Sequence, residues 1–249
     1  MICQDYKILQ VVTFLIISSL SPAISQSQRS EGIHQADLTT YILEKHGLDH
    51  ELINGIQYYN QYHRVLNHPF YSVEESRPGT AYLSGKKFND VRVNYNIYSQ
   101  HLVLEYQGKL GGIYQIILSP AHTNAFELDG NYFEKISLNG RTPLFYQVIT
   151  TEALSCYIHW KKQLQATSND LLNTGFFTDP KRTYYLDFND EIYSFKNRKT
   201  FGLPFSGNSK KEIKKFMRSN KINFRNATPE QIEDLLMYVS SRVQSTSGI

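Results

Sequence analysis

Few groups of residues in this chain of 249 combine side-chain types and spacings that could do chemistry. His46 and His50 stand four apart, a helical spacing that can bring two imidazoles to one metal ion. Gly47 lies between them and no third ligand is evident, so surface or capping histidines account for the pair. The run DFNDE carries Asp187, Asp190 and Glu191. Two carboxylates across a cleft could hydrolyse a glycoside, but only at a set separation. These acids flank an expected hairpin tip, where turn chemistry alone calls for Asn and Asp. Cys156 could act as a nucleophile, yet in SCYIHW it reads as a small buried hydrophobe. HExxH, CxxC, GxxxxGK[ST] and GxSxG are all missing from the sequence. No catalytic residue, metal ligand or cofactor is assigned.

The densest group of polar aromatics is the segment IQYYNQYHRVLNHPFYS. Tyr58, Tyr59, Tyr62, His63, His68, Phe70 and Tyr71 form the candidate ligand-binding set. The competing reading is an N-terminal segment that wraps a sheet with its tyrosines. Aromatic composition fits either, with 18 Tyr and 14 Phe against one Trp. Tyrosine suits a half-buried sheet face, because its ring packs while its hydroxyl stays wet. The same property suits a glycan- or peptide-binding face.

The elements that must position these residues can be read from periodicity. Ala36 to Lys45 has helical spacing, with Asp37 to cap it and Gly47 to end it. From Gly79 onward, short alternating runs are bounded by Gly, Asn, Asp or Pro. Val91, Val93, Tyr95 and Ile97 point one way; Arg92, Asn94 and Asn96 point the other. Such runs predict an antiparallel meander. Asp129-Gly130 and Asn139-Gly140 suit tight two-residue hairpins, and Asn189-Asp190 marks another. Leu144 to Leu164 predicts two strands or one long bent strand, with a helix over Glu152–Leu164 as the alternative. Thr167 to Pro180 predicts a polar loop. Ser209 with Glu212, and Thr228 with Gln231, are capping-box patterns for two C-terminal helices. Their apolar stripes are Ile213, Phe216, Met217 and Ile232, Leu235, Leu236, Val239. The expected class is α+β, mainly antiparallel β: a meander sheet, roll or barrel-like domain with a short N-terminal helix and two C-terminal amphipathic helices.

Residues 1–25 read as a cleavable signal peptide. Lys7 precedes an apolar run from Ile8 to Leu20, too short to span a bilayer, which takes roughly 20 apolar residues. Ala23 and Ser25 sit at the −3 and −1 positions before Gln26. Cys3 precedes the run, so no lipid anchor is expected. The remainder reads as two parts of one unit: 26–142, an N-terminal helix and meander, and 143–249, further hairpins and the helical pair. After cleavage Cys156 is the only cysteine, so stability must come from the core rather than from disulfides. The formal charge of +3 offers no footprint for nucleic acid.

The stretches NGIQYYNQY, NHPFY, GTAYLSGKKFNDVRVNYNIYSQHLVLEY and FELDGNYFEKI, with KKEIKKFMRSNKINF and a final leucine-rich helix, resemble uncharacterised exported β-rich proteins of Bacteroidota-like bacteria. The resemblance implies a periplasmic or extracellular location and carries no established activity. Similar sequences often have Tyr-Asp where this chain has Tyr95-Asn96. The expected function is an extracytoplasmic binding or scaffold protein of the envelope, its partner an envelope protein or a glycan. The alternative is a secreted hydrolase whose site is assembled from sequence-distant residues. A deep pocket with converging titratable groups would favour the hydrolase, and a shallow tyrosine-lined sheet face would favour binding.

Overall fold

The computed structural model describes residues 49–108, 110–167 and 174–244. The expected signal peptide, the helix over Ala36–Lys45 and His46 lie outside the described residues. Leu48–Ile249 forms one compact unit. Its first strands are β1 (Gly55–Gln57), β2 (Val65–Leu66), β3 (Arg77–Leu83), β4 (Lys86–Asn96) and β5 (His101–Gln107). Then come β6 (Ile113–Leu118), β7 (Thr123–Leu128), β8 (Asn131–Ile136), β9 (Leu144–Thr150) and β10 (Ser155–Lys161). The last are β11 (Leu164–Ala166), β12 (Gly175–Phe177), β13 (Lys181–Phe188) and β14 (Glu191–Phe195). Three helices close the described chain: α1 (Arg198–Phe201), α2 (Gly207–Ser219) and α3 (Pro229–Gln244).

Eleven strands form one antiparallel sheet in the order β1-β6-β5-β4-β3-β7-β8-β9-β10-β13-β14. It consists of two up-and-down runs joined where β3 pairs with β7. Alternation decides which face is buried. Val91, Val93 and Tyr95 of β4, Phe126 of β7, Phe133 of β8, and Cys156 and Ile158 of β10 all belong to one buried cluster. Helices α2 and α3 add Ile213, Met217, Ile232, Leu235, Leu236 and Val239 to that same cluster, as their predicted stripes require. Thr228 and Gln231 make the expected reciprocal cap at the start of α3.

The sheet curls strongly without closing. Strands β4 and β9 are four positions apart, about 19 Å in a flat sheet. Yet the rings of Tyr95 and Phe145 lie 5.9 Å apart. The Lys162 amide, just past β10, reaches the carbonyl of Ile97 in the β4–β5 turn at 3.4 Å. The barrel-like expectation is therefore corrected: β1 and β14 remain as the two edges of an open sheet. Bulky rings fill the trough, where Tyr95 and Phe126 touch each other and both Phe133 and Phe145.

Several local expectations hold and others are corrected. Asp129-Gly130 and Asn189-Asp190 are two-residue hairpins with both residues at positive φ. Asn139-Gly140 also has positive φ but sits within the longer connection between Ile136 and Leu144. Leu144 to Lys161 forms two strands, and the helical alternative is not adopted. Helix α2 starts earlier than Ser209: its N-cap is Ser206, which makes no side-chain capping bond. Glu212 instead turns to Asn208 and Arg242. The polar loop expected over Thr167–Pro180 contains strand β12, whose Phe177 is fully buried. β12 lies between β11 and β2 in a second, three-stranded sheet. Its aromatic pair needed a partner, and β2, more than a hundred residues earlier, supplies one in parallel register. Helix α1, which periodicity did not predict, is capped by Asn197 with Thr200. Among the described residues, no helix is long and apolar enough to cross a membrane.

Candidate functional site

The seven residues of the sequence-predicted set divide by environment. Phe70 is buried and pairs across to Asn96 at the end of β4. Tyr71 turns into the core between Phe133 and Trp160, at 5.2 and 4.8 Å. Burial pushes its phenol up to about 12. Tyr62 is wedged against Phe177 and Tyr98, which also touch each other. His68 stacks on Phe70, and its Nδ1 accepts the Phe70 amide at 3.2 Å, so its proton sits on Nε2. The buried Lys162 donates to the His68 carbonyl at 2.8 Å. Desolvation, then the nearby Lys162 charge, holds the His68 pKa down.

Tyr58 packs on Phe70, and its buried hydroxyl makes no hydrogen bond of good geometry, although Asn96 lies beside it. Tyr59 is 66% exposed and His63 is also exposed. The segment thus runs from its pairing with β6, past the β4–β5 turn, to the end of β4. Most of its rings clasp the sheet, and only Tyr59 and His63 stand out to solvent.

The register of β8, β9, β10 and β13 builds a different cluster on the face opposite the core. Tyr146 lies opposite Glu134. Tyr157 lies opposite Val148 on one side and Tyr185 on the other. His159 lies opposite Thr183. Directly opposed residues in antiparallel strands share a face. The ring contacts agree: Tyr146 lies 5.6 Å from His159, 5.9 Å from Tyr185 and 6.4 Å from Tyr157. Tyr146 is sheltered at 5% exposure, whereas Tyr157, His159 and Tyr185 are half-exposed around it.

Polar groups frame these rings. The Tyr157 hydroxyl donates to Asp187 at 3.1 Å. Burial and then that bond raise the Tyr157 pKa, so the phenol stays a donor. The oxygen Oε1 of Gln100 takes the Tyr95 hydroxyl at 2.7 Å and meets Nε2 of His159 at 3.1 Å. Because Oε1 can only accept, His159 carries its proton on Nε2. Desolvation, followed by Lys161, lowers the His159 pKa. On the same face, Tyr132 and Tyr82 meet edge to face, and Tyr82 donates to Glu127 at 2.5 Å. A row of tyrosines edged by carboxylates therefore runs across the outer side of the sheet from β3 to β13.

Sequence reasoning named none of these rings as site residues, because they come from three strands, with Tyr146 on β9, Tyr157 and His159 on β10, and Tyr185 on β13. The available signal was alternation: Tyr157, His159 and Lys161 share one parity of β10 while Cys156, Ile158 and Trp160 share the other. The acids of DFNDE separate here. Asp187 joins the tyrosine row, whereas Asp190 stays in the hairpin turn and Glu191 takes the Tyr193 hydroxyl. Cys156 is fully buried, and burial pushes its thiol up, away from the reactive thiolate.

A groove of about 550 Å³ lies between the β13–β14 turn and the start of α2. Its lining carries one acid, Glu212, whose carboxylate already faces Arg242 at 3.4 Å. Among the described residues no three His, Cys, Asp or Glu side chains gather as metal ligands. Compared with protein-family models, curated proteins and solved structures, the chain matches none. Its function therefore rests on the chemistry of its own surface.

Proposed function

We propose that this protein is an exported binding or scaffold protein of the bacterial envelope that holds a glycan chain on the outer face of its sheet. The observation that carries this reading is the shallow row built around Tyr146, Tyr157, His159 and Tyr185. Tyrosine rings offer flat apolar surfaces to the C–H faces of sugar rings, and their hydroxyls bond to sugar hydroxyls. The carboxylates of Glu134 and Asp187 on the same face supply acceptors for further hydroxyl groups. Tyr146, Tyr157 and Tyr185 are all held by sheet register rather than by a loop, so little ordering entropy is lost on binding. Export is supported by the leader-like run from Met1 to Ser25.

The test uses protein recovered from the periplasmic or culture fraction, with its N-terminus read by mass spectrometry. A start at Gln26 is expected, and retention of residues 1–25 would overturn the export reading. The recovered protein is then run through gels containing envelope polysaccharides. The double variant Tyr157→Ala/Tyr185→Ala should weaken retention at least about tenfold, since each stacking contact contributes on the order of 1 kcal/mol or more. Unchanged retention in that variant, or none in the parent, would sink the glycan reading. Crosslinking to a protein that buries the tyrosine row would replace the glycan with a protein partner.

A further inference from the structure

The helical end of the molecule concentrates positive charge that the modest total of +3 conceals. From Lys196 to Arg225 there are ten basic side chains and a single acid, Glu212. That acid is engaged elsewhere, by Arg242 and by Asn208. Helices α1 and α2 bring Arg198, Lys199, Lys214 and Arg218 around one open pocket of about 280 Å³, lined by these four residues. Among the described residues, none of the four lies within ion-pair distance of a carboxylate.

The pocket is organised by contacts beneath it. Arg198 donates through Nε to the Ile222 carbonyl at 2.8 Å. That bond sets the plane of the guanidinium and leaves its two Nη groups for an outside acceptor. The Lys214 stem passes 3.6 Å from the position a Cβ would take on Gly202, the residue that ends α1. Arg198 and Lys214 are thereby half-buried, whereas Lys199 and Arg218 stay exposed. Lys214 and Arg218 are four apart on α2, so their charges are neighbours. Cations held this close repel one another, and among the described residues no ion pair offsets them.

We propose that this pocket binds a phosphate group, as a phosphomonoester or a pyrophosphate. The arginine fork matches two phosphate oxygens, and the lysines add point charges for a dianion. A pocket of this volume accepts a headgroup-sized anion, whereas a nucleic-acid duplex would need an extended surface. The same phosphate chemistry can reside on a soluble molecule or on a lipid headgroup.

Calorimetric titration with pyrophosphate and inorganic phosphate, at constant ionic strength, tests the proposal directly. A parallel arm measures co-sedimentation with phosphatidylcholine vesicles containing phosphatidic acid. Saturable binding of the soluble anions assigns a soluble source, and binding to the phosphatidic acid vesicles alone assigns a lipid source. Lys214→Gln/Arg218→Gln should weaken whichever binding is seen about tenfold or more, roughly what one lost charge-assisted contact accounts for. Among the described residues neither side chain makes a hydrogen bond through its head group, so the fold should be retained, as circular dichroism should verify. Arg198→Lys keeps the charge but loses the fork and should also weaken binding. Lys87→Gln, on β4, should leave it unchanged. Absence of binding in both arms, or an equal loss in Lys87→Gln, would overturn the site.

Discussion

His159 illustrates how one residue couples the tyrosine row to stability. Its Nε2 proton points to Gln100, and its free Nδ1 lies in a partly desolvated site near Lys161. The folded-state pKa is therefore below the ordinary value of 6.5. Between the two values the unfolded chain binds a proton that the folded chain does not, so stability rises with pH there. The contribution is fully present above about pH 6.5 and is lost as pH falls through the folded pKa. His68 and His101 are shifted in the same direction, chiefly by desolvation. The melting temperature should fall between pH 7.5 and pH 5. In His159→Gln that fall should be shallower, even if the variant melts lower at pH 7.5; an identical slope would contradict the assignment.

At the scale of elements, the segment before β3 shows how a polar side chain can shape a strand boundary. Asn94 points away from the core yet is only 3% exposed. Its Nδ2 lies 3.0, 2.9 and 3.2 Å from the carbonyls of Val73, Glu74 and Glu75. One amide thus gathers the turn that leads from Tyr71 into β3. Leaving sheltered carbonyls without a donor costs about 1–3 kcal/mol at most. Asn94→Ala should lower the unfolding free energy measured in urea by that amount and speed amide exchange of residues 70–77, with Tyr71 affected first. Alternation in β4 correctly placed Asn94 and Asn96 opposite the valines. It could not show that both would be covered, because the covering turn lies some twenty residues earlier in the chain.

Across the molecule, the core is a single cluster from Leu52 to Val239. Phe224, between α2 and α3, joins the helices to the sheet through ring contacts with Tyr184, Phe195 and Phe201. Replacing it with Ala should cost about 3–5 kcal/mol. Because the cluster is continuous, Trp160 fluorescence and far-ultraviolet dichroism should report the same midpoint in the parent and in Phe224→Ala. Separate midpoints would mean that the helical end unfolds independently of the sheet.

Much of this architecture follows from local pattern. Period-two alternation identified β4 and β5, turn pairs such as Asp129-Gly130 set hairpins, and apolar stripes with the Thr228 cap marked α3. These signals are local because neighbouring residues share one backbone conformation, and one buried face imposes one period. The curl of the sheet, the pairing of β2 with β12 and the grouping of Tyr146, Tyr157, His159 and Tyr185 have no such local signal. They join residues from different strands, and only strand order and register decide which side chains meet. The aromatics between Tyr58 and Tyr71 looked like a site because they are dense in sequence. In the fold most of them fasten the chain, while the row on the outer face, from Tyr82 to Asp187, was spread over about a hundred residues until the sheet brought it together.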